Sequence, residues 1–224
     1  VISLTGARGE GGYGRAMQSR TPASRTGRPR SAAADAAILA ATREALVELG
    51  WSGLTLGGVA SRAGVAKTTL YRRWAGKNEL VVDAVAELFD ALEPPDRGSL
   101  AADVEGVVLQ FAALLSRPEA RSGLMAVLSE STLDEALRER IRVSIVERQE
   151  HLVRAGRARA QDRGELPPEP DPDGAARTVG LLFGMVAGAV VHRTLVSGRP
   201  VDEEWVHDFT RVLLWGLVTA GTGP

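Results

Sequence analysis

Apolar residues recur at three- and four-residue spacing along most of the chain, and no stretch alternates with a period of two. Ile38, Ala41, Ala45, Leu46 and Leu49 share one face of a helix predicted over Ala32–Leu49, with Gly50 as its stop. A short second helix is predicted over Thr55–Ala63, with Leu56, Val59 and Ala60 inward and Gly64 as the breaker. A third covers Lys67–Trp74, where Leu70 and Trp74 lie four apart on one face. Gly76 precedes a fourth, from Lys77 to about Leu92. Its stripe is Leu80, Val81, Ala84, Val85, Leu88 and Leu92, and Glu79 sits in the first turn, where a negative charge suits the helix dipole.

Glu93–Gly98, with two prolines, is a linker. Beyond it a helix over Leu100–Ser116 stops before Pro118, and a shorter one covers Glu119–Ser129. Thr132 and Glu135 have the spacing of a capping box, which would open a long helix with Leu133, Leu137, Ile141, Ile145 and Leu152 inward. Asp134 with Arg138 and Glu150 with Arg154 are spaced to pair along its outer face. Gly164–Gly174 reads as a proline-rich loop. Asp171 or Asp173 starts a helix to about Val196, and Asp202 starts a last one ending near Gly221. The pattern defines an all-α protein of about nine helices.

Composition divides the chain further. Residues 1–30 are rich in Gly, Ser, Thr, Pro and Arg with few large apolar groups, which fits a disordered basic arm. Residues 31–92 form a small helical domain with its connecting helix, and residues 93–224 a larger one. Residues 1–80 carry 12 Lys/Arg against 5 Asp/Glu, whereas residues 81–224 carry 15 against 23. A basic first third on an acidic remainder implies that one part meets a polyanion and the other does not. Cysteine is absent, which excludes disulfides and thiolate metal sites. The longest apolar run, Val179–Val191, is shorter than the roughly 20 residues of a membrane span, so no membrane partner is expected. The chain opens on Val1, and Met17 is an alternative start.

Enzyme motifs fail on their surroundings. Gly9–Gly14 has the G-x-G-x-x-G spacing but no strand before it. Lys67-Thr68 lacks the phosphate-loop glycines, since Ala66 and Ser61 stand in their places. His151, His192 and His207 fall on three different helices without metal-ligand spacing, and Gly50-Trp51-Ser52-Gly53 is not a nucleophile elbow. Neither a catalytic set, nor a metal site, nor a cofactor is expected. Gly180, Gly184 and Gly188 recur at four-residue spacing on the apolar helix, a small-residue face that suits either close packing inside one subunit or a dimer interface.

Two short helices joined at a glycine, the second carrying Lys67, Thr68, Thr69, Tyr71, Arg72 and Arg73, have the layout of a helix-turn-helix. With Leu70 and Trp74 inward, those six residues are left on or near the exposed side. Arginine there can take guanine or phosphate, threonine can donate to phosphate or offer its methyl to thymine, and Tyr71 can donate its hydroxyl.

From Ala37 to Val82 the chain resembles the N-terminal domain of TetR-type transcriptional repressors. The resemblance rests on Leu54-Thr55-Leu56, Val59-Ala60, Ala63-Gly64-Val65, Thr69-Leu70-Tyr71, Trp74, Lys77 and Leu80. It implies a cytoplasmic homodimer whose last two helices form the interface, to which Trp205 and Leu213 would contribute, and a small-molecule pocket in the larger domain. It further implies that Thr55 caps the first helix of the motif and contacts phosphate. Thr68, Thr69, Tyr71 and Arg72 would face the groove, and Lys77 would hold a phosphate. Val65-Ala66 departs from the family's Val-Ser, and an Ala in place of the capping Ser costs about 1 kcal/mol. Gly57 and Gly58 add about 0.5–1 kcal/mol each relative to Ala, so a loosely ordered head is expected without DNA. Thr26-Gly27-Arg28-Pro29-Arg30 resembles an AT-hook core, which would lay Arg28 and Arg30 along the minor groove.

The leading expectation is a ligand-responsive repressor that binds a palindromic double-stranded operator as a homodimer. Candidate pocket residues are Phe111, Leu115, Met125, Leu128, Phe183 and Met185, and the scarcity of inward charge favours an apolar or aromatic effector. A non-specific architectural DNA-binding protein and an all-α enzyme with an appended DNA-binding head are the competing classes.

Overall fold

The computed structural model describes residues 28–168 and 171–220, and every regular element among them is helical. The first unit is α1 (Arg28–Gly53), α2 (Leu56–Arg62), α3 (Lys67–Tyr71) and α4 (Lys77–Phe89). Residues 1–27 of the proposed arm lie outside the described part. Arg28 and Arg30 belong to the first turn of α1, and their side chains are likewise outside it. Gly50 has φ 66, which interrupts the α1 helix where the sequence placed its stop. That left-handed conformation strains any residue with a Cβ.

The second unit begins with α5 (Leu100–Ser116) and α6 (Pro118–Ser131). Next, α7 (Glu135–Ile141), a π-helical turn at Arg142–Val146 and α8 (Glu147–Asp162) follow one another without a break. They are followed by α9 (Pro172–Val191), a second π-helical turn at His192–Val196, and α10 (Glu203–Ala220). Counting α7 and α8 as one rod gives nine helices among the described residues. The bounds of α5 match the sequence reading because both signals are local: the Ser99 hydroxyl accepts from Ala102 N at 3.2 Å, and Pro118 follows the last turn.

The long rod departs from its expected start. Asp134, not Thr132, is the N-cap, accepting from Leu137 N at 2.9 Å. Thr132 closes α6 instead, donating its hydroxyl to Ser129 O. Leu133 therefore lies in the connection and is 94% exposed rather than inward. The Asp134 carboxylate also accepts from Asn78 Nδ2, so it does not pair with Arg138, whose guanidinium donates to the Ser131 and Thr132 carbonyls. Leu137, Ile141, Ile145 and Leu152 are buried as expected, and Arg154 pairs with Glu150 at 2.7 Å. The π turn shifts the helical phase, and Val143 within it faces solvent.

One continuous core joins the two units. Leu46 of α1, Val85 of α4 and Val127 of α6 are all buried in it. Helix α6 crosses closely at Gly123, where a Cβ would come within 2.7 Å of Val85 Cγ2. The span Asp173–Val196, which holds an 18-residue window of mean hydropathy 1.7, is long and apolar enough to cross a membrane by length and composition. It is longer than the apolar run Val179–Val191 because the helical stretch runs on through His192 and Arg193 to Val196, the end expected for this helix. Here it lies on α5 and α8, with Val179, Leu182 and Val190 buried.

Candidate nucleic-acid interface

Helix α2 is short and carries two glycines, and each makes room for a neighbour. Thr55, its N-cap, accepts from Gly58 N at 3.1 Å, and a Cβ at Gly58 would crowd that hydroxyl. A Cβ at Gly57 would stand 3.2 Å from Lys67 Cε, so the bare backbone lets the Lys67 stem lie across α2. The chain then turns at Gly64, φ 66, with Val65 N donating to Ala60 O at 3.0 Å. Helix α3 starts at Ala66, which offers no side-chain cap, as the sequence indicated.

The α3 helix ends at Tyr71, three residues before its predicted end, and a turn carries the chain to Trp74. Leu70 and Trp74 are buried in the same core as Leu54, Val59 and Ala60. Lys67, Thr68, Tyr71 and Arg72 are exposed and Thr69 half-exposed, so five predicted DNA-facing residues share one accessible surface beside exposed Thr55.

Two others are turned elsewhere. Arg73 forms an ion pair with Asp35 on α1 and keeps only 17% of its side chain exposed. Because the helix has ended, its direction is set by that carboxylate rather than by the recognition face. Lys77 donates to the Trp51 carbonyl at 2.6 Å with its ammonium 4.6 Å from the centre of the Trp51 ring. It ties the start of α4 to the α1–α2 junction, where a phosphate contact was expected of it.

Several residues that fix this surface have no local sequence signal. Arg62 forks onto Glu48 at 2.9 and 2.5 Å, joining α2 to α1, and this hydrogen bond holds the Glu48 carboxyl below its ordinary pKa. The Trp74 indole N–H donates to Asp83 Oδ2 at 2.9 Å, and Arg140 Nη2 on α7 donates to Asp83 Oδ1 at 2.9 Å. Asp83 on α4 thus links the back of the recognition segment to the second unit. Asn78 and Asp134 form a parallel bridge at 2.8 Å.

The second unit contains an apolar cavity of about 70 Å³ between α5, α8, α9 and α10. Its wall includes Val104, Val107, Leu152, Leu182, Val186 and Leu213, with Asp103, Arg157 and Arg159 as its charged members. None of the six residues expected to line a pocket borders it. Phe111 and Leu115 are core, Phe183 is half-buried, and Met125, Leu128 and Met185 are exposed. Helical periodicity identifies apolar faces but not which of them meet a void.

The dimer residues also divide. Cβ atoms at Gly184 and Gly188 would meet nothing within 4 Å, and one at Gly180 would meet only Glu150 at 3.5 Å, so the glycine face is open within one subunit. Leu181, Met185, Val212 and Trp215 are exposed on the same two helices. Trp205 stacks on Phe209, with ring centres 5.2 Å apart, beneath Arg193. Leu213 is buried in the cavity wall and does not belong to an outer face.

A glycine-linked helix pair with a polar, cationic outer surface, mounted on a larger helical unit, defines a helix-turn-helix DNA-binding regulator. Known proteins agree. Residues 38–84 match the family model described as "Bacterial regulatory proteins, tetR family". Residues 94–213 match "Tetracyclin repressor-like, C-terminal domain". The chain belongs to the TetR family of transcription regulators. It is 27% identical over 186 residues to the HTH-type transcriptional regulator YdeS of Bacillus subtilis, covering 83% of this chain and 90% of that protein. It is 28% identical over 191 residues to the DNA-binding transcriptional repressor TetR of Mycobacteroides abscessus, covering 83% and 94%. The crystal structure of the TetR family regulator SCO0332 superposes with a TM-score of 0.63 at 29% identity, over 82% of this chain and 97% of that one.

Proposed function

We propose that this regulator is a ligand-responsive repressor that binds an inverted-repeat operator as a homodimer and leaves it when a small molecule fills the α5–α8–α9–α10 cavity. The observation that carries the proposal is the bridge from Trp74 through Asp83 to Arg140, which ties the posture of α3 to the unit containing the cavity. A shift of α7 relative to α4 then re-aims the recognition segment.

Lys67, Thr68, Thr69, Tyr71 and Arg72 enter or line the major groove, with Thr55 on phosphate. Arg28 and Arg30, when they contact DNA, add minor-groove affinity from the N-terminal side. The open glycine face of α9 with Leu181, Met185, Val212 and Trp215 forms the two-fold interface, where small residues allow close helix approach. Its burial in a dimer accounts for an apolar helix that is mostly uncovered in one subunit. Repression accords with the name of the M. abscessus relative, and the protein acts in the cytoplasm. The apolar wall selects an effector with an apolar or aromatic body.

The test is binding of the full chain to operator fragments selected from random DNA, followed by addition of candidate effectors. An effector that releases the DNA from the wild type but not from a cavity-filled Gly156→Phe variant supports the reading. Release that is indifferent to the filling sinks it.

A further inference from the structure

Three charged side chains border the otherwise apolar cavity: Asp103, Arg157 and Arg159. The one carboxylate is already matched. Asp103, 3% exposed, accepts from Arg97 N at 2.6 Å and from Arg163 Nη2 at 2.9 Å. Asp103 is thus committed to Arg163 and the backbone rather than to Arg159, in surroundings of low polarity where a charge acts strongly.

Arg159 is the informative member. Its Nη2 donates to the Pro95 carbonyl at 2.8 Å, while its Nε, buried from solvent, has no acceptor among the described residues. The Nε and Nη2 N–H groups form one edge of the guanidinium, the edge that meets the two oxygens of a carboxylate side by side. Pro95 occupies half of it.

Pro95 belongs to the segment that joins α4 to α5. That segment is strapped down: Glu93 N donates to Gln110 Oε1 and Gln110 Nε2 to Glu93 O, both at 3.1 Å. Pro95 and Arg97 also lie so close to α5 that a Cβ at Gly106 would come within 2.9 Å of Pro95 Cγ. Pro95 is at the same time part of the cavity wall.

We propose that the ligand of this cavity is an amphipathic organic acid, an apolar body ending in a carboxylate, and that Arg159 is its receptor and the latch on the α4–α5 segment. This rests on the reading of the cavity as the effector site. The acid takes the Nε–Nη2 edge and draws Arg159 from the Pro95 carbonyl. The segment is released from α8, and with it the C-terminal end of α4.

The experiment measures binding of decanoate and of decan-1-ol, below their aggregation limits, to the full-length wild type, Arg159→Met, Arg159→Lys and Gly156→Phe by titration calorimetry. Position 156 is open to a side chain, since a Cβ there meets nothing within 4 Å. Decanoate is expected to bind the wild type about 10-fold or more tightly than decan-1-ol, as for a hydrogen bond to a charged group. Arg159→Met equalises the two probes, Arg159→Lys retains part of the preference, and Gly156→Phe binds neither. Equal binding of both probes by the wild type, with loss in Gly156→Phe, overturns the acidic ligand and leaves the effector cavity standing. Binding of both that Gly156→Phe does not alter overturns the cavity itself. A preference for decanoate that survives in Arg159→Met, or no decanoate binding to the wild type, overturns the role of Arg159.

Discussion

Replacing Asp83 with alanine removes the acceptor that two units share. The Trp74 indole N–H, 2.9 Å from Oδ2, belongs to a side chain 5% exposed. Without Asp83 it stays in a site from which solvent is largely excluded. A hydrogen bond to a charged acceptor contributes about 1.5–3 kcal/mol when its loss leaves the partner unsatisfied. The Arg140 contact adds less, because both groups are roughly a third exposed, and such pairs contribute about 0–1 kcal/mol. The expected loss for Asp83→Ala is about 2 kcal/mol. Asp83→Asn keeps an acceptor for the indole and is expected to lose about 1 kcal/mol. Urea unfolding at fixed protein concentration measures both, the fixed concentration being required for an associating protein. Because the same contact positions the recognition segment, operator affinity should fall in the same order as stability. Destabilisation by Asp83→Ala of less than about 0.5 kcal/mol, with unchanged operator affinity, would refute the coupling.

Further outcomes follow from the same geometry. Thr55→Ala removes the α2 cap and should cost about 1 kcal/mol, read from the urea midpoint. Lys67→Ala and Arg72→Ala should each weaken binding and reduce the salt slope of operator affinity by about one when the contact is to phosphate, whereas Arg73→Ala should leave that slope unchanged and lower stability. Leu181→Asp places a charge on the open α9 face and should shift the protein to monomer in sedimentation, with loss of operator binding. For pH, Leu100 N and then Arg163 hold the Glu165 carboxyl below its ordinary pKa of 4.5, and hydrogen bonds from Arg62 and Arg142 do the same for Glu48 and Glu139. A carboxyl depressed on folding stabilises the fold above the unfolded value and stops doing so as pH falls through the lower folded value. Thermal midpoints should therefore hold down to about pH 5 and decline below it, and Glu165→Gln should flatten that decline.

What the sequence discloses follows the range of the forces involved. Ser99, Pro118, Gly50, Gly64 and Thr55 act within a turn of themselves, so the elements they bound were legible. Thr132 shows the limit: a valid capping pattern lost to Asp134, whose carboxylate reaches both Leu137 N and Asn78 on another helix. The surface of α3 was legible as far as helical phase holds, and Arg73 was misplaced because the helix ends at Tyr71 and its partner Asp35 lies 38 residues away. The π turns at Arg142 and His192 break the 3.6-residue period on which inward positions are read. The cavity was invisible because its walls come from four helices and from the Pro95 segment. Phe111 and Leu115, expected as lining, are buried core residues that do not border this cavity.

The most direct test of the account is selection of fragments from random DNA by the full-length protein, with sites mapped at nucleotide resolution. The account predicts an enriched inverted repeat whose half-sites lie about one or two helical turns apart, as two-fold related recognition segments require. Retention of random fragments without an enriched motif, at affinities equal to those of any selected sequence, would contradict it.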